Sequence, residues 1–445
     1  MAPIRSMFIG EEEFLFMQER LNHSSPVVTQ LRRFQRDERG YTLSSVPIGC
    51  YKDDGSECVL NFSNSKRILI LGSTGAGKTV LSSGIIDRFK LAGGEVSIFD
   101  LKGEYTKKNA PLQAKFSKQV RFDKERGFDV PKYLLLDEKP QGLSIKSYYP
   151  AFLQKLTRKK LDDTEVLAQF NLHSISKPDF LTLFENLTSS NSRYFDVLDA
   201  LWTDITEREL YSWEAIRDFF DSEASDYPSL QKRILLKYLK ILRDNLVLGD
   251  TYENPDLISP INEGTVGILD LQGMTNYTTA NSPALVYVAI TLRKIYNAKV
   301  NSHINKRIHN LIMVDEINRF CPRMGNPSSK KEFLQVLDLS RSERISLLYS
   351  SQDYKRIPET LINQADYVFV SYKMGLDPMA ELIRMVLPSE YGVPQTFKTK
   401  VARLQGRLQK YRDGRRDWLI IDRNNKVWDI IIPAMPLTHL VVEGE

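Results

Sequence analysis

Two periodicities alternate along this chain. Short apolar runs bounded by turn residues recur at Ile68–Leu71, Val96–Phe99, Val266–Leu271, Leu311–Val314, Ile345–Tyr349 and Tyr367–Val370. Their brevity and near-continuous hydrophobicity predict strands buried on both faces, the pattern of a parallel sheet. Stretches with helical spacing lie between them, at Lys78–Leu91, Ser282–Lys299 and Pro378–Val386. Strand alternating with helix predicts an α/β fold: a mainly parallel sheet with helices on both faces.

The flanking segments read differently. Residues 1–57 form a short lead-in, with a helical pattern at Phe16–Phe34, a strand at Tyr41–Tyr51 and a turn at Asp53–Gly55; a strand at Cys58–Phe62 follows. From 109 to 260 the pattern is mainly helical, with one strand-like piece at Tyr133–Leu136. Trp213–Phe220 and Leu230–Leu248 are amphipathic there, so this stretch is expected to be a helical insertion whose apolar stripes are core. The main domain is then 58–108 plus 261–445. Near its end Trp418–Ile421 and Val427–Ile432 form a hairpin turned by Asn424-Asn425.

Composition adds boundaries. With 445 residues, 42% hydrophobic and 10% aromatic, the chain is an ordinary globular protein too long for one small core. Its 61 basic and 56 acidic residues leave a net charge of +5, which permits a nucleic-acid partner without demanding one. Cys50, Cys58 and Cys321 are odd in number and not at metal-ligand spacing, which fits a reducing compartment. No run of 18 apolar residues occurs and the N-terminal stretch is acidic, so a cytoplasmic place without a membrane span is expected, in the host cell if the protein is viral.

The chemistry centres on Arg67–Phe89. There Gly72, Ser73, Thr74, Gly75, Ala76, Gly77, Lys78 and Thr79 satisfy G-x-x-x-x-G-K-[ST] between a strand and a helix, the setting of a P-loop. Glycines let backbone amides close on phosphate oxygens, and the helix opening at Lys78 to Val80 turns its positive end on the anion. Lys78 is expected to reach the β- and γ-phosphates of ATP, and Thr79 to join a Mg²⁺ shell.

Hydrolysis needs further groups. Leu311–Val314 ends in Asp315-Glu316, the form of a Walker B strand, with Asp315 for Mg²⁺ and Glu316 to polarise water. The strand from Ile345 ends in Gln352, positioned to sense the γ-phosphate or orient the water. Between these two strands Arg341 and Arg344 are candidates for an arginine finger supplied by a neighbouring subunit.

Taken in order, GSTGAGKT, FDLKGEY, LIMVDEINRF and SRSERISLLYSSQ resemble the HerA and FtsK branch of P-loop motor ATPases. In that branch a Gly-Arg pair precedes the strand ending in Ser/Thr-Gln. Ser340-Arg341 stands at that interval before Gln352, so the resemblance selects Arg341 over Arg344. It implies a RecA-like ATPase core and a homo-oligomeric, hexameric ring moving along double-stranded DNA. The same resemblance extends to viral genome-packaging and conjugative DNA-pumping ATPases. It leaves open a protein-secretion or conjugation motor, and a ring scaffold for a nuclease or defence effector; a nuclease, portal or secretion partner would go with these. DNA contacts are expected from loops rich in basic residues: Arg319, Arg323, Lys330 and Lys331 after the Walker B strand, and Lys107 and Lys108 with Lys115 and Lys118 after the second strand.

Overall fold

A computed structural model describes residues 42–110, 135–136, 139–140, 142–185, 193–222, 224–257, 265–273, 283–301, 308–388, 394–410 and 416–438. The strands are β1 (Val46–Tyr51), β2 (Glu57–Leu60), β3 (Arg67–Leu71), β4 (Glu95–Asp100), β5 (Leu135–Leu136), β6 (Lys139–Pro140), β7 (Ile145–Pro150), β8 (Glu165–Ala168), β9 (Val266–Asp270), β10 (Asn310–Val314), β11 (Ile345–Ser351), β12 (Tyr367–Ser371), β13 (Trp418–Asp422) and β14 (Val427–Pro433). All but β5 and β6 join one twelve-stranded sheet, in the order β2-β1-β14-β13-β12-β3-β11-β10-β4-β9-β7-β8.

Every neighbouring pair from β12 to β8 is parallel. The sequence of β3 shows why such strands read as unbroken apolar runs. Leu69 and Leu71 enter one core and Ile68 and Ile70 the other, because successive side chains point to opposite faces. The helix α1 (Lys78–Leu91) covers the second face with Leu81, Ile85, Ile86 and Phe89. The first face is covered by α2 (Arg193–Glu207), α3 (Trp213–Asp221), α4 (Ser229–Asp244), α5 (Pro283–Asn301) and α6 (Ser328–Leu339). The expected α/β architecture, parallel sheet and C-terminal hairpin are therefore present.

Two expected boundaries are corrected. The stretch 109–260 is not a separate helical insertion: β7 pairs with β9 and β8 with β7, and its helices share one continuous core with the central strands. Its stripes are buried only in part. Leu235 and Leu239 are core, whereas Leu230 and Ile241 are exposed. Nor does the lead-in end at residue 57, because β1 pairs with both β2 and β14, so the hairpin β13–β14 welds it to the sheet through antiparallel ladders. The expected helix at Phe16–Phe34 lies outside the described residues.

Candidate functional site

Strand order brings the predicted residues to one edge. β11 lies between the P-loop strand β3 and the acidic-ended strand β10, with Ser351 opposite Leu71 and Tyr349 opposite Val314. Because all three are parallel, Gly72, Gln352 and Asp315-Glu316 leave the sheet at the same carboxyl edge, where α/β folds bind ligands.

The loop is built for close approach. A Cβ on Gly72 would stand 2.9 Å from the Ser371 Cβ, and Gly77 caps α1 at φ 93°, a conformation that excludes most side chains. No side chain caps α1 and its first turn holds no acid, so its leading amides are left to an anion. Lys78, 6% exposed, donates to the Gly72 carbonyl at 2.9 Å and lies 3.6 Å from Glu316 Oε1.

Glu316 occupies a left-handed conformation, φ 50° and ψ 53°, which swings its side chain back toward the loop. Such conformations cost energy and persist where the surroundings impose them. Here those surroundings are explicit: Gln352 Nε2 donates to Glu316 Oε1 at 2.8 Å, and Lys102 Nζ stands 3.3 Å from the same oxygen. The Glu316 amide donates to Ser350 Oγ at 3.2 Å, while that hydroxyl donates to Asp315 Oδ1 at 2.6 Å.

Asp315 is 2% exposed and its Oδ2 is buried without a partner. Burial, then the neighbouring Glu316 charge, raise its pKa above the ordinary carboxylate range. Thr79 Oγ1 donates to Glu104 Oε2 at 2.5 Å. Burial lowers the Lys102 pKa, but the carboxylates of Asp315, Glu104 and Glu316 outweigh it and leave the pKa raised. An orphaned carboxylate oxygen on an acid surrounded by hydroxyls and carboxylates suits a hard cation such as Mg²⁺, and the loop suits a polyphosphate. The donors present therefore fit both groups.

Arg341 lies elsewhere. It pairs at 3.4 Å with Asp366, the residue before β12, while Arg67 at the start of β3 donates to Leu337 O and Ser340 Oγ in the same turn. Arg341 thus sits at the amino edge of the sheet, separated from its own P-loop by the length of β3. Five residues at about 3.3 Å each span roughly 17 Å.

The basic loops divide. Arg319 and Lys331 are exposed; Arg323 is exposed but pairs with Glu359 at 2.7 Å; Lys330 donates to the carbonyls of Arg323 and Gly325 and so ties its own loop. Lys107 is exposed. Lys108 is corrected: it is fully buried, pairs with Asp87 at 2.6 Å and also donates to Ser83 and Thr438, so it is closed to a DNA backbone. Lys115 and Lys118 lie outside the described residues. Sequence reading missed Ser350, the hydroxyl that joins both acids, although its place just before Gln352 at a strand end pointed to the site. It also missed Lys373 beside the P-loop, and Arg416 reads in the sequence only as one of the basic residues of the tail.

A family model described as the central domain of the helicase HerA matches residues 46–293, more than half of the chain. The chain belongs to this HerA family. The match contains the whole of Gly72–Val80 and ends before Asp315, inside α5. Among solved structures, this HerA-family chain is similar to VirB4 of Thermoanaerobacter pseudethanolicus, with 14% identity, 88% of this chain and 96% of that chain covered, and a TM-score of 0.52. At that identity the likeness bears on the fold alone. The bacterial conjugative coupling protein TrwBdeltaN70 matches with 11% identity over 92% of this chain and 85% of its own, TM-score 0.47. The genome packaging NTPase B204 of Sulfolobus turreted icosahedral virus 2, in complex with ATP-gammaS, matches with 11% identity over 84% and 100%, TM-score 0.31. No curated protein matches the sequence. Membership makes this a P-loop ATPase of the motor type, and among the described residues no helix is long and apolar enough to cross a membrane.

Proposed function

We propose that this HerA-family chain is an ATP-dependent double-stranded DNA translocase working as a homo-oligomeric, hexameric ring. The observation that carries the ring is the position of Arg341: its side chain is 63% exposed and a full strand length from its own P-loop, so as a finger it serves a neighbour's site.

Within one subunit, the loop Gly72–Val80, through the leading amides of α1, and the Lys78 ammonium bind the β- and γ-phosphates. Thr79 and Asp315 hold Mg²⁺, which when bound offsets charge on the phosphate oxygens. Glu316 accepts the proton of the attacking water and Gln352 orients the two. The contacts of Lys78 and Gln352 with the Glu316 carboxylate support this reading, because an ion pair and a hydrogen bond gather the phosphate-binding lysine and the orienting amide around the base. Arg319, Lys331 and Lys107 are the exposed cations proposed to touch the DNA backbone, contacts that are sequence-independent and weaken with salt.

The test is ATPase rate and triplex displacement with purified protein and linear duplex DNA. Stimulation by duplex, lost at high salt, together with displacement of the third strand, is expected. Stimulation by a polypeptide substrate but not by DNA would move the chain to secretion. ATP-dependent assembly with a nuclease and no displacement would make the ring a scaffold.

A further inference from the structure

The side of the P-loop away from β11 carries two cations that hydrolysis as described does not use. β13 runs antiparallel to β12 with Trp418 opposite Ser371, so the start of β13 and the end of β12 meet at the phosphate-binding edge. Lys373, two residues past β12, donates to the Thr74 carbonyl at 3.0 Å. Arg416, two residues before β13, lies against Gly77: a Cβ there would stand 2.8 Å from Arg416 Nη1 and 3.3 Å from its Cδ.

The setting of Arg416 is unfavourable as it stands. Its Nε is buried without a hydrogen-bond partner, and among the described residues no carboxylate pairs with its guanidinium. Asp417, next in the chain, is instead turned to Lys52 and the Gln409 amide. A guanidinium beside the leading amides of α1 faces the positive end of the helix, where anions are favoured and cations are not. An anion lying between them satisfies both, and guanidinium with its fork of donors matches phosphate oxygens.

We propose that Arg416 is a phosphate ligand of the bound nucleotide, supplied from the same chain across β13, with Lys373 bracing the loop at Thr74. It rests on the nucleotide site described above and adds a second cation to it, on the flank opposite Lys102. The arrangement also places part of the nucleotide grip on a strand whose hairpin is paired to β1.

Equilibrium binding of ATP, ADP and inorganic tripolyphosphate to the full chain tests this, comparing wild type, Arg416→Ala, Arg416→Lys and Lys78→Ala. Losing one charge-assisted contact should weaken ATP and tripolyphosphate by roughly tenfold to a hundredfold, with partial recovery in Arg416→Lys. Thermal stability without nucleotide should not fall, since no ion pair is lost. Wild-type affinity in Arg416→Ala overturns the proposal while leaving the nucleotide site intact. So does a loss seen with ATP but absent with tripolyphosphate, which would put Arg416 on the sugar or base. Failure of wild type and Lys78→Ala alike to bind ATP would instead overturn the nucleotide site itself.

Discussion

The proposed finger can be tested by mixing two inactive proteins. Arg341→Ala removes the finger and keeps the P-loop; Lys78→Ala does the reverse. Arg341→Ala should not unfold the chain through lost electrostatics, because the pair of Arg341 with Asp366 spans 3.4 Å with a largely exposed arginine side chain. Exposed pairs of that kind contribute about 0–1 kcal/mol, and Asp366 keeps the Arg67 amide at 2.9 Å. Loss of a finger costs about 10³-fold or more in turnover. The roughly 17 Å along β3 exceed the reach of an arginine side chain, so the group cannot serve its own site. In a ring assembled from equal amounts of the two variants, a complete site forms where an Arg341→Ala subunit receives a finger from a Lys78→Ala neighbour. For random placement at a head-to-tail interface that is about one quarter of all sites. Phosphate release by the exchanged mixture should therefore rise from near zero toward a quarter of the wild-type rate, with subunit exchange checked by co-elution of a labelled variant. A fully exchanged mixture no more active than its components would refute action between subunits.

Three further outcomes are expected. Glu316→Gln should retain ATP binding while turnover falls by about 10²- to 10⁴-fold, and an unchanged ATPase rate would remove Glu316 as the base. Lys108→Ala should lower unfolding free energy by about 3–5 kcal/mol in urea titration, because the buried Asp87 loses its cation and keeps only hydrogen bonds from Leu437 and Thr438, while DNA affinity of the folded protein stays the same; a stable variant with weakened DNA binding would restore Lys108 as a contact. His309, buried against Phe62 and Phe89 and hydrogen-bonded to Ser346 Oγ, has its pKa lowered to about 4 by burial, then by Lys299 and Arg344. The unfolded chain then takes a proton that the native chain refuses, so this group's stabilisation is complete above about pH 6.5 and is lost as pH falls toward 4, by about 3 kcal/mol in all. The stability slope over that window should be shallower in His309→Gln, and identical slopes would contradict the assignment.

What was legible followed from local rules. The glycine spacing, the apolar run before it and the acidic end of Leu311–Val314 each express a constraint within a few residues, and all reappear as β3, the P-loop and β10. The misreadings are non-local. β7 is interrupted by Lys146 and Ser147 and β8 is four residues long, so neither announces a strand until β9 offers an edge to pair with. Lys108 reads as surface because lysine is almost never buried unless paired, and its partners Asp87 and Thr438 stand 21 and 330 residues away. Arg416 reads as one basic residue among several until the β12–β13 register carries it to Gly77.

The site's contacts also fix what nucleotide loading must do. Two of the groups proposed to meet phosphate or Mg²⁺ are already engaged by the protein: Lys78 by the Gly72 carbonyl and Glu316, and Thr79 by Glu104. Binding is therefore an exchange of partners, and only the difference between the old and new contacts appears as affinity. When Lys78 turns to phosphate, the Glu316 carboxylate keeps Lys102 and Gln352 as its partners, so it stays held at the loop while the lysine changes sides.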